Sequence, residues 1–251
     1  LEDFPHPAGK PNGYSPPLMV QPSITLSSGP FSQSATDPWL DGTTNQTNGN
    51  NVNAFADLMY PEEAFNPGSI AVCDPANSPP TTDIVACTTA DKKFELTYDF
   101  DQEPLSTRSQ VESSVVNQFY MINWLHDWFY DAGFDETSRN AQKSNFSRGG
   151  LGNDPIKALA LDYKGTDNAW MATPADGSSP TMAMYRYTGR KVSTSSAMDN
   201  TIVAHEWGHF ITNRLIYNAN GLGTDQAWAL GEGWGDFLAL LLSARSDNDH
   251  Y

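Results

Sequence analysis

One long segment of the sequence has the hydrophobic periodicity of a helix. Between Ser109 and about Tyr130, apolar residues recur at steps of three and four positions. They are Val111, Val115, Phe119, Ile122, Leu125 and Phe129. This spacing puts the apolar side chains on one face and predicts a long core helix that is ended by Gly133. His126 lies late in this helix, where we interpret it as a structural histidine.

Strands are predicted on both sides of this helix. The segment "KFELTYDF", residues 93–100, alternates apolar and polar residues as a half-buried strand does. After the helix, strand character is found in "IKALALDY" (156–163), "NAWMATP" (168–174) and "TMAMYRY" (181–187). The turn "ADGSSP" joins the last two strands. Two shorter candidates, "MVQPSITL" and "SIAVC", lie nearer the N-terminus.

The order of these elements predicts an α+β fold in three parts. Residues 1–93 are punctuated by Pro and Gly and are expected to form a loop- and β-rich N-terminal region. Residues 94–217 hold a mixed or antiparallel sheet, the long core helix and a second helix that carries the candidate chemistry. Residues 218–251 begin a further helical part.

The charge of the chain excludes some classes of partner. Fourteen Lys and Arg against thirty Asp and Glu give a net charge of −16. Nucleic acid and anionic membrane surfaces require clustered positive charge, so neither is expected as a partner. No apolar run approaches the roughly 20 residues that span a bilayer, and the N-terminus has neither an initiator Met nor a signal-peptide apolar region. We therefore expect a processed or trimmed soluble product, and loops rich in Asn, Ser, Thr and Gly favour an exported protein.

The two cysteines are predicted to form a disulfide. Cys73 and Cys87 flank a loop rich in Pro, Asn and Thr that has little regular structure of its own. Closing a loop of this length contributes about 3 kcal/mol in the chain-entropy model, and it implies an oxidising compartment. The alternative is a pair of free buried thiols.

The segment "VAHEWGHF" places two histidines four residues apart with a glutamate directly after the first. A helix over "TIVAHEWGHFITNRLI" has three candidate N-cap residues, Asp199, Asn200 and Thr201. On that helix His205 and His209 lie one turn apart on one face, where both imidazoles can bind one Zn²⁺. Glu206 lies about 100° further round the helix, within reach of a water on that metal. H-E-x-x-H is a zinc signature, but its three fixed letters also occur by chance.

A second helix supplies the complementary ligand. The segment "AWALGEGWGDFLALLL" is apolar apart from Glu232 and Asp236, which are four residues apart and so project from one face. Burying two carboxylates on a core face is costly without a cation, so they need a positive partner. We predict that Glu232 is the third ligand of a four-coordinate zinc and that Asp236 accepts the free N–H of a ligating histidine.

Glycines on the second helix support this pairing. Gly231, Gly233 and Gly235 each cost a helix interior about 1 kcal/mol relative to Ala. Three within five positions indicate that the backbone approaches a neighbour closely, and the histidine helix is the candidate neighbour. The alternative is an ordinary amphipathic helix on which Glu232 and Asp236 face solvent.

The two motifs together resemble the fungalysin family of secreted zinc metalloendopeptidases, which are relatives of the thermolysin-like glutamate-zincins. The resemblance is carried by "DNTIVAHEWGHFITNRL" and "ALGEGWGDF", and upstream by "NQFYMINWLHDWFYDAGFDE", "NFSRGGLGNDP" and "MATPADGSSPTMAMY". It extends over roughly residues 95–240. It implies a thermolysin-like catalytic lobe, a Zn²⁺ cofactor, peptide or protein substrates and an extracellular location. It also implies an inhibitory propeptide, hence a zymogen, although no propeptide is recognisable in this sequence.

The resemblance assigns roles residue by residue. His205, His209 and Glu232 are implied as zinc ligands, Glu206 as general base and Asp236 as the partner of a ligating histidine. These roles agree with those predicted from the residues alone.

The resemblance also implies substrate-binding residues. Thermolysin-like enzymes bind the substrate main chain along an edge strand that begins Asn-Ala, which makes Asn168 and Ala169 candidates; the alternative is a plain sheet edge. Tyr217 lies near the position of an oxyanion-assisting tyrosine, but at a shorter spacing. The helical lobe that follows in this family is mostly missing from the sequence, and so is its transition-state-stabilising histidine.

Two hypotheses of function follow. The first is a zinc endopeptidase in which metal-activated water attacks internal peptide bonds with Glu206 as general base. The second is a zinc-stabilised binding or structural module, or a half-protease that lacks its second lobe. A glycosidase that uses paired carboxylates would leave both histidines without a role. Acidic loops such as "GNDP" could bind Ca²⁺, although the sequence has no D-x-D-x-D-G loop.

Overall fold

A computed structural model describes residues 37–40, 43–60, 82–90, 92–189 and 191–243. It contains three α-helices: α1 (Arg108–Asp131), α2 (Asn200–Leu215) and α3 (Asp225–Ser243). Its strands are β1 (Val52–Ala56), β2 (Ile156–Ala160), β3 (Ala169–Ala172), β4 (Thr181–Met184), β5 (Arg186–Tyr187) and β6 (Thr194–Ser195). The described part is therefore a mixed α+β fold, as the sequence predicts.

The main sheet is mixed and ends at the strand nearest the candidate chemistry. Its strand order is β1-β2-β4-β3, in which β2 pairs in parallel with both β1 and β4. Strand β3 pairs antiparallel with β4, which confirms the predicted pair joined by the turn "ADGSSP". Within the described residues β3 has no second strand partner, so one of its edges is free. Strands β5 and β6 form a separate two-stranded sheet.

Helix α1 forms the centre of the core, as its periodicity predicts. The hydroxyl of Thr107 accepts a hydrogen bond from Gln110 N and caps the helix. The apolar stripe is buried against β1, β2 and α2. At the other end Gly133 adopts a φ of 103°, which a residue with a side chain rarely adopts and which ends the helix.

His126 is buried in a hydrogen-bonded cluster that contains none of the candidate metal ligands. Its Nδ1 lies 3.0 Å from Asp127 Oδ1, and its Nε2 lies 3.1 Å from Gln142 Oε1. Trp39 Nε1 donates to the other oxygen of Asp127 at 2.7 Å. These contacts join α1 to the segments on either side of it and agree with a structural role for His126.

The strand predicted over residues 93–100 is wrong. This segment contributes only an isolated bridge between Ala90 and Lys93 and has no ladder. The alternating pattern still identifies which side chains are buried, since Phe94 and Tyr98 lie in the core. Tyr98 Oη accepts a hydrogen bond from Ser195 N at 3.1 Å, so the side chain rather than the backbone attaches this segment to the sheet region.

Several N-terminal predictions lie outside the described residues. They are the candidate strands "MVQPSITL" and "SIAVC" and the residue Cys73. The disulfide between Cys73 and Cys87 therefore stays a prediction. Strand β1 was not predicted from the sequence, although it pairs with β2 over its whole length. No described helix is both long and apolar enough to cross a membrane.

Candidate metal centre

Helix α2 presents the two histidines at one point on its surface. Of the three candidate caps, the structure uses Asp199, whose Oδ1 accepts from Thr201 N at 2.9 Å. Trp207 on the opposite side of the helix stacks on Phe129 of α1 at a centroid distance of 6.0 Å. Because Trp207 is fully buried, α2 is fixed in rotation about its own axis and the histidine face turns towards α3.

Three donor atoms converge between α2 and α3. The Nε2 atoms of His205 and His209 lie 3.0 Å apart. Glu232 Oε2 lies 3.2 Å from the first of these nitrogens and 3.5 Å from the second. Donor atoms of all three residues lie within 4.8 Å of one another. Two imidazole nitrogens and one carboxylate oxygen are a donor set that suits Zn²⁺, so the residues present fit the metal that the sequence predicts.

Asp236 orients one of the histidines. Its Oδ1 lies 2.9 Å from His205 Nδ1. A carboxylate accepts hydrogen bonds, so this contact favours the tautomer that has its proton on Nδ1 and a lone pair on Nε2. That lone pair is available on the side of His209 and Glu232, as metal ligation requires.

Close helix packing at two glycines makes this geometry possible. A Cβ added at Gly235 would lie 2.9 Å from His205 Nδ1, and one added at Gly208 would lie 2.7 Å from Gly235 Cα. The predicted close approach is therefore present at Gly235 and also involves Gly208 of α2, which was not predicted from the sequence. At Gly231 the added atom would make an ordinary contact, and at Gly233 it would meet nothing within 4 Å. The prediction is wrong for Gly233.

The expectation that α3 buries its two carboxylates is also wrong. The side chains of Glu232 and Asp236 are 66% and 73% exposed. Helix α3 faces α2 with its small residues, so the carboxylates lie beside the contact rather than within it. Within the described residues, the rest of the helix exposes large apolar side chains, namely Trp228, Leu230, Trp234, Phe237, Leu240 and Leu241. The packing of α3 on α2 brings Glu232 and Asp236 to the histidines. Burial of the two carboxylates is not the reason for this arrangement.

Glu206 lies buried beside the three donors. It is 5% exposed, and its Oε2 has no hydrogen-bond partner within the described residues. Burial, reinforced by the negative charge of Glu232, raises the pKa of Glu206 to about 8. Burial also lowers the pKa of His209, which favours the neutral imidazole that a metal requires. Because Glu206 Oε2 has no hydrogen-bond partner within the described residues, it can exchange a proton with a ligand.

A cavity of about 540 Å³ opens beside His205 and Glu206. Asn168 and Ala169, at the start of the free edge of β3, line one side of it. Asp236, which the sequence predicted as the partner of a histidine, also lines it; the remaining lining residues were not predicted and are Tyr187, Thr201, Ile202, Ala239 and Leu240. These residues come from three separate segments, and no shared pattern of polar and apolar positions identifies them in the sequence.

Tyr217 does not line this cavity. It follows α2, is 81% exposed and has a φ of 55°. Tyr187 of β5 is the tyrosine that does line the cavity. Burial, with Asp199 and Glu206 nearby, raises the pKa of Tyr187 and keeps its hydroxyl protonated.

The fold and the donor set define a class of protein: metallopeptidases that take two histidines from one helix and a glutamate from the next, beside a sheet edge. The chain belongs to the Fungalysin metallopeptidase family, whose sequence model matches residues 3–251. This confirms the family resemblance that the two motifs carry.

Similar proteins in fungi have names that agree with this family. The chain is 34% identical over 237 residues to a probable extracellular metalloproteinase 5 of Arthroderma benhamiae, a match that covers 92% of the chain and 34% of that protein. It is 36% identical over 163 residues to an extracellular metalloproteinase of Aspergillus flavus, covering 64% of the chain and 25% of the relative. With extracellular metalloproteinase 9 of Coccidioides posadasii the identity is 33%, with 84% and 32% covered. The chain thus spans about a quarter to a third of the length of these relatives.

Proposed function

We propose that the protein is a secreted zinc-dependent endopeptidase that hydrolyses internal peptide bonds of protein substrates. The observation that carries this proposal is the convergence of three donor atoms beside a buried carboxyl oxygen that has no partner within the described residues. His205, His209 and Glu232 would hold the zinc ion. When bound, the ion supplies Lewis acidity that activates a water molecule and polarises the scissile carbonyl.

Residues of the chain carry out proton transfer, orient a metal ligand and bind the substrate. Next to a bound cation, whose charge opposes the burial that raises its pKa, Glu206 is ionised; its Oε2 accepts the proton of the attacking water and later delivers it to the leaving amine. Asp236 holds His205 in the tautomer that leaves Nε2 free. The free edge of β3, beginning with Asn168 and Ala169, binds an extended peptide by main-chain hydrogen bonds.

A purely structural metal site is less well supported. Structural zinc sites fill all four coordination positions with protein atoms, whereas three such donors meet here beside a cavity. An oxyanion role for Tyr217, a Ca²⁺ site, an inhibitory propeptide and a second helical lobe stay predictions. Secretion is supported by the relatives, several of which are named as extracellular.

Substitution of Glu206 tests the proposal. In the full-length zinc-loaded protein, we expect Glu206→Gln to keep the zinc content and to lower kcat for casein by at least about 100-fold, because a general base contributes on the order of 10²–10⁴ in rate. Zinc content is measured by atomic absorption and casein cleavage by release of soluble peptides. Glu232→Gln is the matched control, and it should lose zinc. A Glu206→Gln protein that cleaves casein at the unchanged rate would overturn the proposal.

A further inference from the structure

Arg214, in the last turn of α2, has a fully buried side chain whose nitrogens are all hydrogen-bonded. Its Nη1 and Nη2 both donate to Asp154 Oδ2 at 3.1 Å. Its Nε donates to the carbonyl of Pro174 at 2.8 Å, and Nη2 donates to the carbonyl of Ser178 at 2.9 Å. The guanidinium therefore uses its planar fork to hold several separate groups, which a point charge could not do.

Three of the six acceptors around Arg214 belong to one turn, and the other three are Asp154 and the carbonyl groups of Arg139 and Asn140. Pro174 and Ser178 lie in the segment that joins β3 to β4, and Asp176 of the same turn lies 3.4 Å from Arg214 Nη1. Asp154 stabilises this turn as well, because its Oδ2 accepts from Gly177 N at 3.1 Å. The C-terminal end of α2 is thereby attached to the β3–β4 turn through buried, charge-assisted hydrogen bonds.

The two elements joined by Arg214 carry different parts of the candidate site. Helix α2 carries His205 and Glu206, and His209 is five residues before Arg214, about 7.5 Å along the helix axis. The β3–β4 hairpin carries the free strand edge that lines the cavity beside them. The distance between the strand edge and the reactive side chains therefore depends on how the turn is held against the helix.

We propose that Arg214 is a positioning residue that sets the β3 edge against the helix bearing His205, Glu206 and His209. The inference rests on the proposed peptidase function and adds a specific element to it: alignment of an extended substrate depends on a side chain that touches neither metal nor substrate. Peptides long enough to pair with the strand edge depend on this alignment. A blocked dipeptide has too little main chain to use that edge and does not depend on it.

The test compares substrates of two lengths in the full-length zinc-loaded protein. Arg214→Lys keeps a positive charge for Asp154 but removes the donors to Pro174 and Ser178. For this variant, we expect the ratio of kcat/KM for an eight-residue fluorogenic peptide to that for a blocked dipeptide to fall about tenfold, because small misplacements of bound groups cost this much in rate. A mere loss of folded protein lowers both rates equally and leaves the ratio unchanged.

A second readout does not use activity. In the metal-free protein, amide hydrogen exchange of Ala169–Ala172 should become about tenfold faster in Arg214→Lys, because the hairpin loses its attachment. Arg108→Lys is the matched control, since it alters another largely buried arginine pair, with Glu112, that lies on α1. The control should leave the substrate ratio and the exchange of β3 unchanged.

The outcomes distinguish this inference from the proposed function. A wild-type protein that binds zinc and cleaves neither substrate would contradict the peptidase function itself. Equal losses on both substrates in Arg214→Lys, with unchanged exchange in β3, would overturn the positioning role. Should Arg214→Lys not fold, Asp176→Asn weakens the same attachment while keeping the Arg214–Asp154 pair, and the ratio should then fall about threefold. An unchanged ratio in Asp176→Asn would overturn the inference in that case.

Discussion

At the scale of single residues, Gly235 decides whether His205 can occupy its position. The imidazole lies directly against the backbone of α3, at the place where a side chain at residue 235 would begin. The same helix has Gly233, which meets nothing within 4 Å. Two glycines with the same helix propensity thus have different reasons to be present, and the pair offers a matched experiment.

Gly235→Ala should weaken metal binding. Its new Cβ would lie 2.9 Å from His205 Nδ1 and would displace the ring from Asp236, so we expect zinc affinity to fall by about 10- to 100-fold. Affinity is measured by competition with a chromogenic chelator.

Gly233→Ala is the control for this prediction. It should leave zinc affinity unchanged and raise the free energy of unfolding by about 0.5–1 kcal/mol, because Ala favours the helix. Equal zinc affinities in the two variants would show that close packing at Gly235 is not required.

At the scale of elements, helix α2 is defined by features at both of its ends. Asp199 accepts the hydrogen bond of Thr201 N at the N-terminus, and buried Arg214 fixes the C-terminus. Both histidines lie between these two ends. The sequence indicated the helix and its possible caps, because capping depends on neighbours in the chain. It did not indicate what Arg214 contacts, because those acceptors are distant in sequence.

Asp199→Ala should destabilise the protein by about 1 kcal/mol, because the first turn of α2 loses its side-chain acceptor. The change is measured as the shift in urea-unfolding midpoint at constant slope. Asp199→Asn keeps an acceptor oxygen at this position and should cost only a few tenths of a kcal/mol. If both variants unfold at the same midpoint as the wild type, the cap contributes nothing to stability.

Strand predictions failed at the element scale for identifiable reasons. Residues 93–100 alternate as a strand does, but alternation reports which side chains are buried and not whether the backbone finds a partner. Strand β1 is almost entirely buried in a parallel pair. It therefore lacks the alternation of apolar and polar residues that identifies a strand with one solvent-exposed face.

At the scale of the whole molecule, α3 depends on few neighbours. It packs chiefly on α2 and leaves large apolar side chains exposed within the described residues. Helix α1, in contrast, is buried against the sheet and α2. A metal ion held by His205, His209 and Glu232 would join α3 to the rest of the structure. Removal of the ion should therefore destabilise some elements more than others.

Removal of zinc by a chelator should loosen α3 more than α1. Ligand held at 1,000 times its Kd contributes about 4 kcal/mol to the free energy of unfolding, and chelation removes this contribution. Amide exchange in Asp225–Ser243 should accelerate on chelation, whereas exchange in Arg108–Asp131 should change little. Uniform acceleration across both helices would indicate instead that the metal stabilises the fold as one unit.

The sequence by itself determined the features that depend on local order along the chain. The spacing of His205, Glu206 and His209 follows from the period of a helix, and the same holds for Glu232 and Asp236. The apolar stripe of α1 and the antiparallel pair β3–β4 follow from periodicity and turn chemistry. Each of these is encoded by residues no more than about one element apart, so no knowledge of the fold was needed to identify them.

Only the tertiary structure decided how these elements meet. It placed Glu232 against the histidines across a close glycine contact, and it left Glu232 and Asp236 exposed where the sequence indicated burial. It also brought Tyr187 rather than Tyr217 to the cavity and tied α2 to the β3–β4 turn through Arg214. Packing between segments far apart in the chain depends on the summed fit of all side chains, and that sum has no signature in any single stretch of sequence.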